Sequence, residues 1–226
     1  MTDLTIIYVT ANTVPESWQE FQLHHLLEAA GDMPIISISR KPMDLGSNIV
    51  ESRPRSYYNI YMSLLDGALA ATTPYVAMAE DDTLYTHTHF VEFRPPENFV
   101  AYDRSRWSLF VWEKEPFFCL RQRISNCSLI APRELVIEAL EERKAKYPQG
   151  IPDTHCGEIG RRDLEDRLHM KRRNCCEWWS FGPIVQLNHP TGSDETQRAQ
   201  WKKHGQIRAY DIPYWGKASE IVAHYG

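Results

Sequence analysis

The sequence predicts an α/β fold in which a central, mostly parallel sheet is flanked by helices, with a smaller antiparallel hairpin region, all in one domain over residues 1–226. Three observations lead there. The first third of the chain alternates β-branched apolar runs with segments of helical periodicity, an order that a right-handed crossover turns into parallel neighbours. Tyr75–Ala79 is an uncharged run of the kind found in strands buried on both faces, and it ends in three carboxylates, Glu80, Asp81 and Asp82. Further on, Trp107–Trp112 and Phe117–Leu120 are aromatic, strand-like and separated by a short polar turn, which predicts the hairpin.

Taken in order, Leu4–Thr10 is a first strand, broken by Asn12 and Thr13, and Pro15 stands where a helix opens. Leu23, Leu26, Leu27 and Ala30 recur at helical spacing, Gly31 stops the helix, and Pro34–Ser39 is a second strand. Arg40–Arg55 reads as a long irregular loop, and a loop of that length in a compact domain is more often functional than structural. Ser56 is the N-cap of a helix whose Tyr57, Ile60, Tyr61, Leu64, Leu65 and Ala68 form one apolar face. This helix feeds the strand that delivers the acids.

Beyond the acids, Asn126–Ile130 is a short strand, and Pro132 opens a helix to about Lys146. Tyr147–His155 is a loop or lid, and Glu158 to about Met170 is expected to be helical. Ile184–Leu187 is a last apolar strand ending at Asn188 and His189.

Composition narrows the function. A hydrophobic content of 42% and 12% aromatics supply a core, and a net charge of −5 carries no global nucleic-acid signature. Positive charge is nevertheless concentrated in two places. Arg161–Arg173 includes Arg161, Arg162, Arg172 and Arg173, and a second patch holds Arg198, Lys202, Lys203 and Arg208 beside Trp201 and Tyr210. No run approaches the ~18 apolar residues that cross a bilayer. No signal-like segment opens the chain, so no membrane anchor is expected. Five cysteines, odd in number and without a C-x-x-C, suit reduced thiols and a cytoplasmic location. A zinc site from His155, Cys156, Cys175 and Cys176 has poor tetrahedral spacing, and His87 and His89 read better as a solvated turn than as ligands.

The acids carry the chemistry. Ligands in such sheets gather at the carboxyl ends of strands, where Glu80, Asp81 and Asp82 would sit. Three adjacent like charges repel, and a buried unpaired ion costs several kcal/mol. A divalent cation with a preference for hard oxygen, Mg²⁺ or Mn²⁺, resolves the conflict. The plainer alternative is a solvated acidic turn.

The order β-α-β-loop-α-β-acids, with Gly67–Ala71 ending the helix and Thr73–Tyr85 carrying the E-D-D triplet, resembles the nucleotide-binding half of small GT-A-type (Rossmann-like) glycosyltransferases of phage and bacterial type. The resemblance implies a nucleotide-sugar-binding half over 1–90, an acceptor-side half over 91–226, a UDP-sugar donor and a bound Mn²⁺ or Mg²⁺. It implies Asp82 as a catalytic metal ligand with Glu80 in support and His189 as a further metal contact. Thr10, Ala11, Asn12, Arg40, Asn59 and Asp81 would contact the donor. Asp153, His155 and Glu158 are candidates for the general base on the acceptor hydroxyl. The two basic stretches suggest a polyanionic acceptor, met by Arg161, Arg162, Arg172, Arg173, Lys202 and Lys203. A 5-hydroxymethylated base in phage DNA and an anionic cell-surface saccharide both fit. A nucleotidyltransferase is the alternative, although the glycine-rich loop and following lysine common in such enzymes are missing after the first strand. A non-catalytic nucleotide- or glycan-binding module is a third.

Overall fold

The computed structural model describes residues 2–152, 155–190 and 205–226. Its larger sheet contains β1 (Leu4–Val9), β2 (Ile35–Ser39), β3 (Ser47–Val50), β4 (Tyr75–Glu80), β6 (Phe99–Asp103), β9 (Leu129–Pro132) and β10 (Asn174–Trp178). They lie in the order β10-β6-β9-β4-β1-β2-β3. β1 pairs in parallel with β2 and β4, β2 with β3, and β10 with β6, whereas β9 runs antiparallel to both its neighbours. A second sheet holds β5 (Thr83–Leu84), β7 (Arg106–Phe110), β8 (Phe118–Leu120), β11 (Ile184–Asn188) and β12 (Arg208–Ala209), ordered β12-β8-β7-β11-β5. Three strands of the large sheet run on into it: β4 into β5, β6 into β7, and β10 into β11. The parallel pair β10/β6 continues as the parallel pair β11/β7. The sequence-predicted α/β class with a mostly parallel sheet and an antiparallel β7/β8 hairpin is the fold observed.

Side-chain alternation along β1 and β4 explains the layers. Ile7, Val76 and Met78 face a core shared with α2 (Tyr57–Ala70) and α4 (Arg133–Lys146), including Leu64, Leu65, Ala68 and Leu140. Ile6, Tyr8, Ala77 and Ala79 face the opposite side, where Leu26 and Ala29 of α1 (Glu16–Ala30) and Phe90 of α3 (His87–Val91) cover them. The α2 layer sits very close to the sheet. A Cβ on Gly67 would come within 2.4 Å of Ile7 Cγ2, so this glycine, costly by about 1 kcal/mol in a helix interior, is what permits the approach.

Several sequence expectations are corrected. Arg40–Arg55 is not irregular throughout, because it contains the edge strand β3. That strand is short and half polar: the Asn48 amide donates to Ser37 Oγ (2.9 Å) and Ser39 Oγ (2.8 Å), and only Ile49 and Val50 are apolar, so no apolar run announces it. In α1 the buried stripe is Trp18, Gln22, Leu26, Ala29 and Ala30, while Leu27 is 52% exposed. A buried glutamine, held by Tyr8 Oη at 3.1 Å, hid the true phase of that helix. Asn126–Ser128 forms a 3₁₀ turn, and the strand begins at Leu129. The expected helix over Glu158–Met170 shrinks to α5 (Arg162–Arg167), bounded by Gly160 at φ +80° and His169 at φ +51°. The strands β6 and β10 were not foreseen.

Candidate functional site

The ends of β1, β2 and β4, the start of α2, the turn Ser125–Asn126, the segment 156–161 and the end of β11 converge on a cleft of about 410 Å³. Glu80, Asp81 and Asp82 line it together with Thr10, Ala11, Arg40, Asn59, Glu158, Arg161 and His189. Residues nominated from distant parts of the sequence thus meet in one place.

The acids stand where the chain passes from one sheet to the other, and backbone contacts fix each of them. Glu80 N donates to Tyr85 Oη (3.0 Å), which itself donates to Cys127 O (3.0 Å). The Trp18 indole N–H donates to Asp81 O (2.8 Å), and Leu187 N donates to Asp82 O (2.7 Å). Thr10 Oγ1 donates to Asp81 Oδ2 at 2.5 Å, and Thr83 Oγ1 donates to Asp82 Oδ1 at 2.9 Å. Burial, then the adjacent Asp82 charge, pushes the Asp81 carboxyl up to about 7, against the opposing pull of Thr10 and Arg55. The crowding expected from sequence is therefore present in the fold.

Asn12 has a different position from the one expected. It adopts φ +52°, its N–H caps Thr10 Oγ1 (2.8 Å), and its Oδ1 accepts from Arg40 N (2.7 Å) and Lys41 N (3.0 Å). It ties the ends of β1 and β2 together behind the wall that Thr10 and Ala11 present. Asn59 caps its own loop through Pro54 O (2.6 Å) while lining the cleft. His189 is buried on the cleft wall with its ring 5.6 Å from Tyr225.

Of the general-base candidates, Glu158 lines the cleft and lies 3.5 Å from Arg161, His155 is half-buried on the same segment, and Asp153 lies outside the described residues. Of the acceptor-side cations, Arg161 lines the cleft and pairs with Asp163 (3.0 Å), and Arg162 is exposed at the start of α5. Arg172 pairs with Asp166 (2.6 Å). Arg173 is buried against Glu142 (2.5 Å). Lys202 and Lys203 lie outside the described residues. The solvated turn expected at 86–89 is instead the start of α3, and its histidines are structural: His87 Nδ1 meets Ala29 O (2.8 Å), and His89 Nδ1 meets Asp103 Oδ2 (2.8 Å) in full burial. The five cysteines are free thiols.

Sequence reasoning missed Arg55, Arg123, Gln186, Glu51 and Ser63 as cleft residues. Arg55 had a signal, since it immediately precedes the N-cap Ser56. Gln186 had one too, as the polar residue inside the last apolar strand.

Among the described residues no three His, Cys, Asp or Glu side chains form a metal-ligand cluster. Mg²⁺ needs none, because it keeps several waters and is usually held by one or two carboxylates plus substrate phosphates. The donor set fits such an ion in kind: hard carboxylate oxygens at Asp82, with the Asp81 carboxyl beside it raised by burial and by the Asp82 charge.

No family model matches the chain, and no curated protein matches it. Solved structures do. The glycosyltransferase GlyE of Streptococcus pneumoniae superposes with a TM-score of 0.50 at 11% identity, covering 100% of this chain and 63% of that one. The 2-C-methyl-D-erythritol 4-phosphate cytidylyltransferase of Thermus thermophilus gives 0.49 at 11% identity, over 85% of this chain and 96% of that one. A glycosyltransferase involved in glycosylation of the major capsid of PBCV-1 gives 0.47 at 10%, over 87% and 96%. The likeness is one of fold, GT-A-like, and no helix among the described residues is long and apolar enough to cross a membrane.

Proposed function

We propose that the chain is a metal-dependent glycosyltransferase that moves a sugar from a nucleoside-diphosphate sugar, a UDP-sugar, to a hydroxyl acceptor. The observation that carries this reading is the pair Asp81–Asp82 at the carboxyl end of β4. Burial, and after it the neighbouring Asp82 charge, pushes the Asp81 carboxyl up to about 7, and the pair opens into a cleft sized for a small-molecule donor. Asp82 would hold Mn²⁺ or Mg²⁺ together with water and the donor phosphates, and the ion when bound supplies charge stabilisation for a diphosphate leaving group; Glu80 and His189 line the same cleft. Thr10 holds Asp81 in place by its hydrogen bond, and Ala11, Arg40 and Asn59 present the walls on which a nucleoside would rest. Glu158 is the general base within the described residues, positioned on the cleft to accept a hydroxyl proton.

The acceptor in this proposal is a hydroxyl reached past Arg161. A 5-hydroxymethylated base in DNA draws its support from the concentration of positive charge in the sequence, and a cell-surface saccharide needs no such concentration. Incubating the protein with labelled UDP-sugars and with nucleoside triphosphates tests the core of the reading. Donor hydrolysis or transfer that stops in chelator upholds it, and nucleotidyl transfer without sugar transfer replaces it with the alternative chemistry. A salt series on duplex DNA with and without 5-hydroxymethylated pyrimidines tests the acceptor. Sugar transfer only to the modified duplex, with affinity falling steeply with salt, is the expected result. Absence of binding at low ionic strength leaves the saccharide.

A further inference from the structure

Arg106 is among the largest fully buried side chains of the protein, 2% exposed in the middle of the second sheet. Its hydrogen bonds go to neutral oxygens. Nη1 donates to Gln186 Oε1 at 2.7 Å, Nη2 donates to Arg123 O at 2.8 Å, and Nε has no partner. Burial lowers its pKa, and the charges of Arg121 and Arg123 press the same way against the opposing pull of Cys127 and Glu158. A sealed cation of this kind costs several kcal/mol, and an apolar side chain of similar volume commonly serves stability as well or better. Stability is therefore a poor reason for an arginine here, and both groups that it grips line the cleft.

The chemistry of the three partners fixes an orientation. A guanidinium only donates, so Gln186 must turn its carbonyl oxygen toward Arg106. The amide nitrogen then points the other way, and Gln186 Nε2 lies 3.5 Å from Asp82 Oδ2. A carboxylate only accepts, so this polarity matches at both ends. The second branch holds the backbone of Arg123, whose side chain lies on the cleft wall. A lysine in place of Arg106 would keep the charge without the planar fork that serves two acceptors at once.

We propose that Arg106 is a positioning residue for the cleft: through Gln186 it fixes how the Asp82 carboxylate is presented, and through the Arg123 carbonyl it holds the neighbouring wall. The inference rests on the metal-binding reading of Asp82, so its test includes a readout that needs neither metal nor donor. The side-chain amide protons of Gln186 are identified in ¹⁵N–¹H spectra of the ligand-free protein by their loss in Gln186→Leu. They exchange slowly in the wild type and at least tenfold faster in folded Arg106→Met. Mn²⁺ affinity in the presence of UDP, followed by electron paramagnetic resonance, falls ~10–100-fold in Gln186→Leu and in Arg106→Met, with Arg106→Lys between them and the wild type. The double variant loses no more than the larger single loss, because the two residues act in series.

An arginine with only a structural role would lower the melting temperature and leave Mn²⁺ affinity of the folded protein unchanged. That result, or unchanged affinity in Gln186→Leu, overturns the proposal. Should Arg106→Met fail to fold, Gln186→Leu and Arg106→Lys decide between the two roles by the same affinities. Should the wild type neither bind Mn²⁺ nor cleave UDP-sugars, the functional reading falls alone. Amide exchange then decides: faster exchange in Arg106→Met or Arg106→Lys upholds the orienting role, and equal exchange ends it.

Discussion

At the end of β4, Asp81 and Asp82 stand side by side and the Asp82 charge helps to raise the Asp81 carboxyl, whereas between residues 161 and 173 four of the six cations have acids as ion-pair partners. Lys171 pairs with Glu138 (2.6 Å) and Arg173 with Glu142, both on α4, while Arg172 pairs with Asp166 and Arg161 with Glu158 and Asp163. Both regions are charge runs in the sequence. Folding brings acids on an opposing helix to one, and to the other a like-charged neighbour, hydrogen-bond donors and the more distant charge of Arg55. A charge run marks a site by how folding surrounds it, and the acids, unlike most of the basic stretch, are held beside a like charge on a cleft wall.

The comparison breaks first if Asp82 is dispensable. Asp82→Ala is expected to cut sugar transfer by at least ~100-fold while leaving the melting temperature unchanged or raised, since one of two repelling charges is gone. EDTA should reproduce the loss, and added Mn²⁺ should reverse it. Undiminished transfer in chelator would remove the acids from the chemistry.

The scaffold side is probed by Glu165, buried beside the basic stretch, whose carboxylate accepts from Gly160 N (2.8 Å) and Arg173 N (3.0 Å). Glu165→Ala strands both amides at about 1–3 kcal/mol each, and denaturant unfolding should register the sum. Turnover per folded molecule should hold. His189→Ala is expected to weaken metal or donor affinity ~10–100-fold without comparable loss of stability. Equal affinity would make the ring a packing element against Tyr225.

Acid and base conditions sharpen the contrast, because the two regions answer pH with opposite signs. Asp81, raised to about 7 when folded from an ordinary value near 3.8, contributes stability that is complete below about pH 4 and lost as pH rises through 7. Burial alone would raise Glu142. Lys146 and Arg173 instead hold it at about 2, so its contribution is present above about pH 4.5 and lost as pH falls toward 2. Thermal melts across pH should therefore flatten on the alkaline side in Asp81→Asn and on the acid side in Glu142→Gln. The smallest effect is expected of Arg172→Ala, whose exposed pair with Asp166 should leave the melting temperature where it was. A clear drop would show that the basic stretch depends on its surface pairs.

Much of this was legible before the fold. The β1-α1-β2 unit, α2 with its Ser56 cap, the buried run of β4 and the helix after Pro132 each obey one local rule, and they stand where the sequence puts them. What stayed hidden depends on distant partners. The half-polar β3 is a strand through its parallel pairing with β2, where Ser37 and Ser39 receive Asn48, and Gln22 is buried because Tyr8 and Thr83 meet its amide. The pairing of Lys171 and Arg173 was hidden as well, because their acids on α4 lie some thirty residues away in the sequence. Within the site, the acids, Thr10, Arg40, Asn59 and His189 were nominated by the motif resemblance, while Gln186, Arg123 and Arg106 carried no motif. Arg106 in particular is invisible as a cleft residue, since it never reaches the cleft itself.

The passage from β4 to β5 has a consequence for how this chain tolerates change in length. Glu80 is still in register with Val9, and Thr83 is already in register with Gln186, so Asp81 and Asp82 are the whole of the connection between two independently anchored ladders. Strand side chains alternate sides residue by residue, and each ladder locks its own phase. A single-residue insertion or deletion at 81–82 therefore falls on the turn itself, and it displaces the Asp81 and Asp82 carboxylates from Thr10 and Thr83 even where both ladders keep their register. Substitution can reach these two positions in evolution or in the laboratory, but length variation should be confined to other parts of the chain.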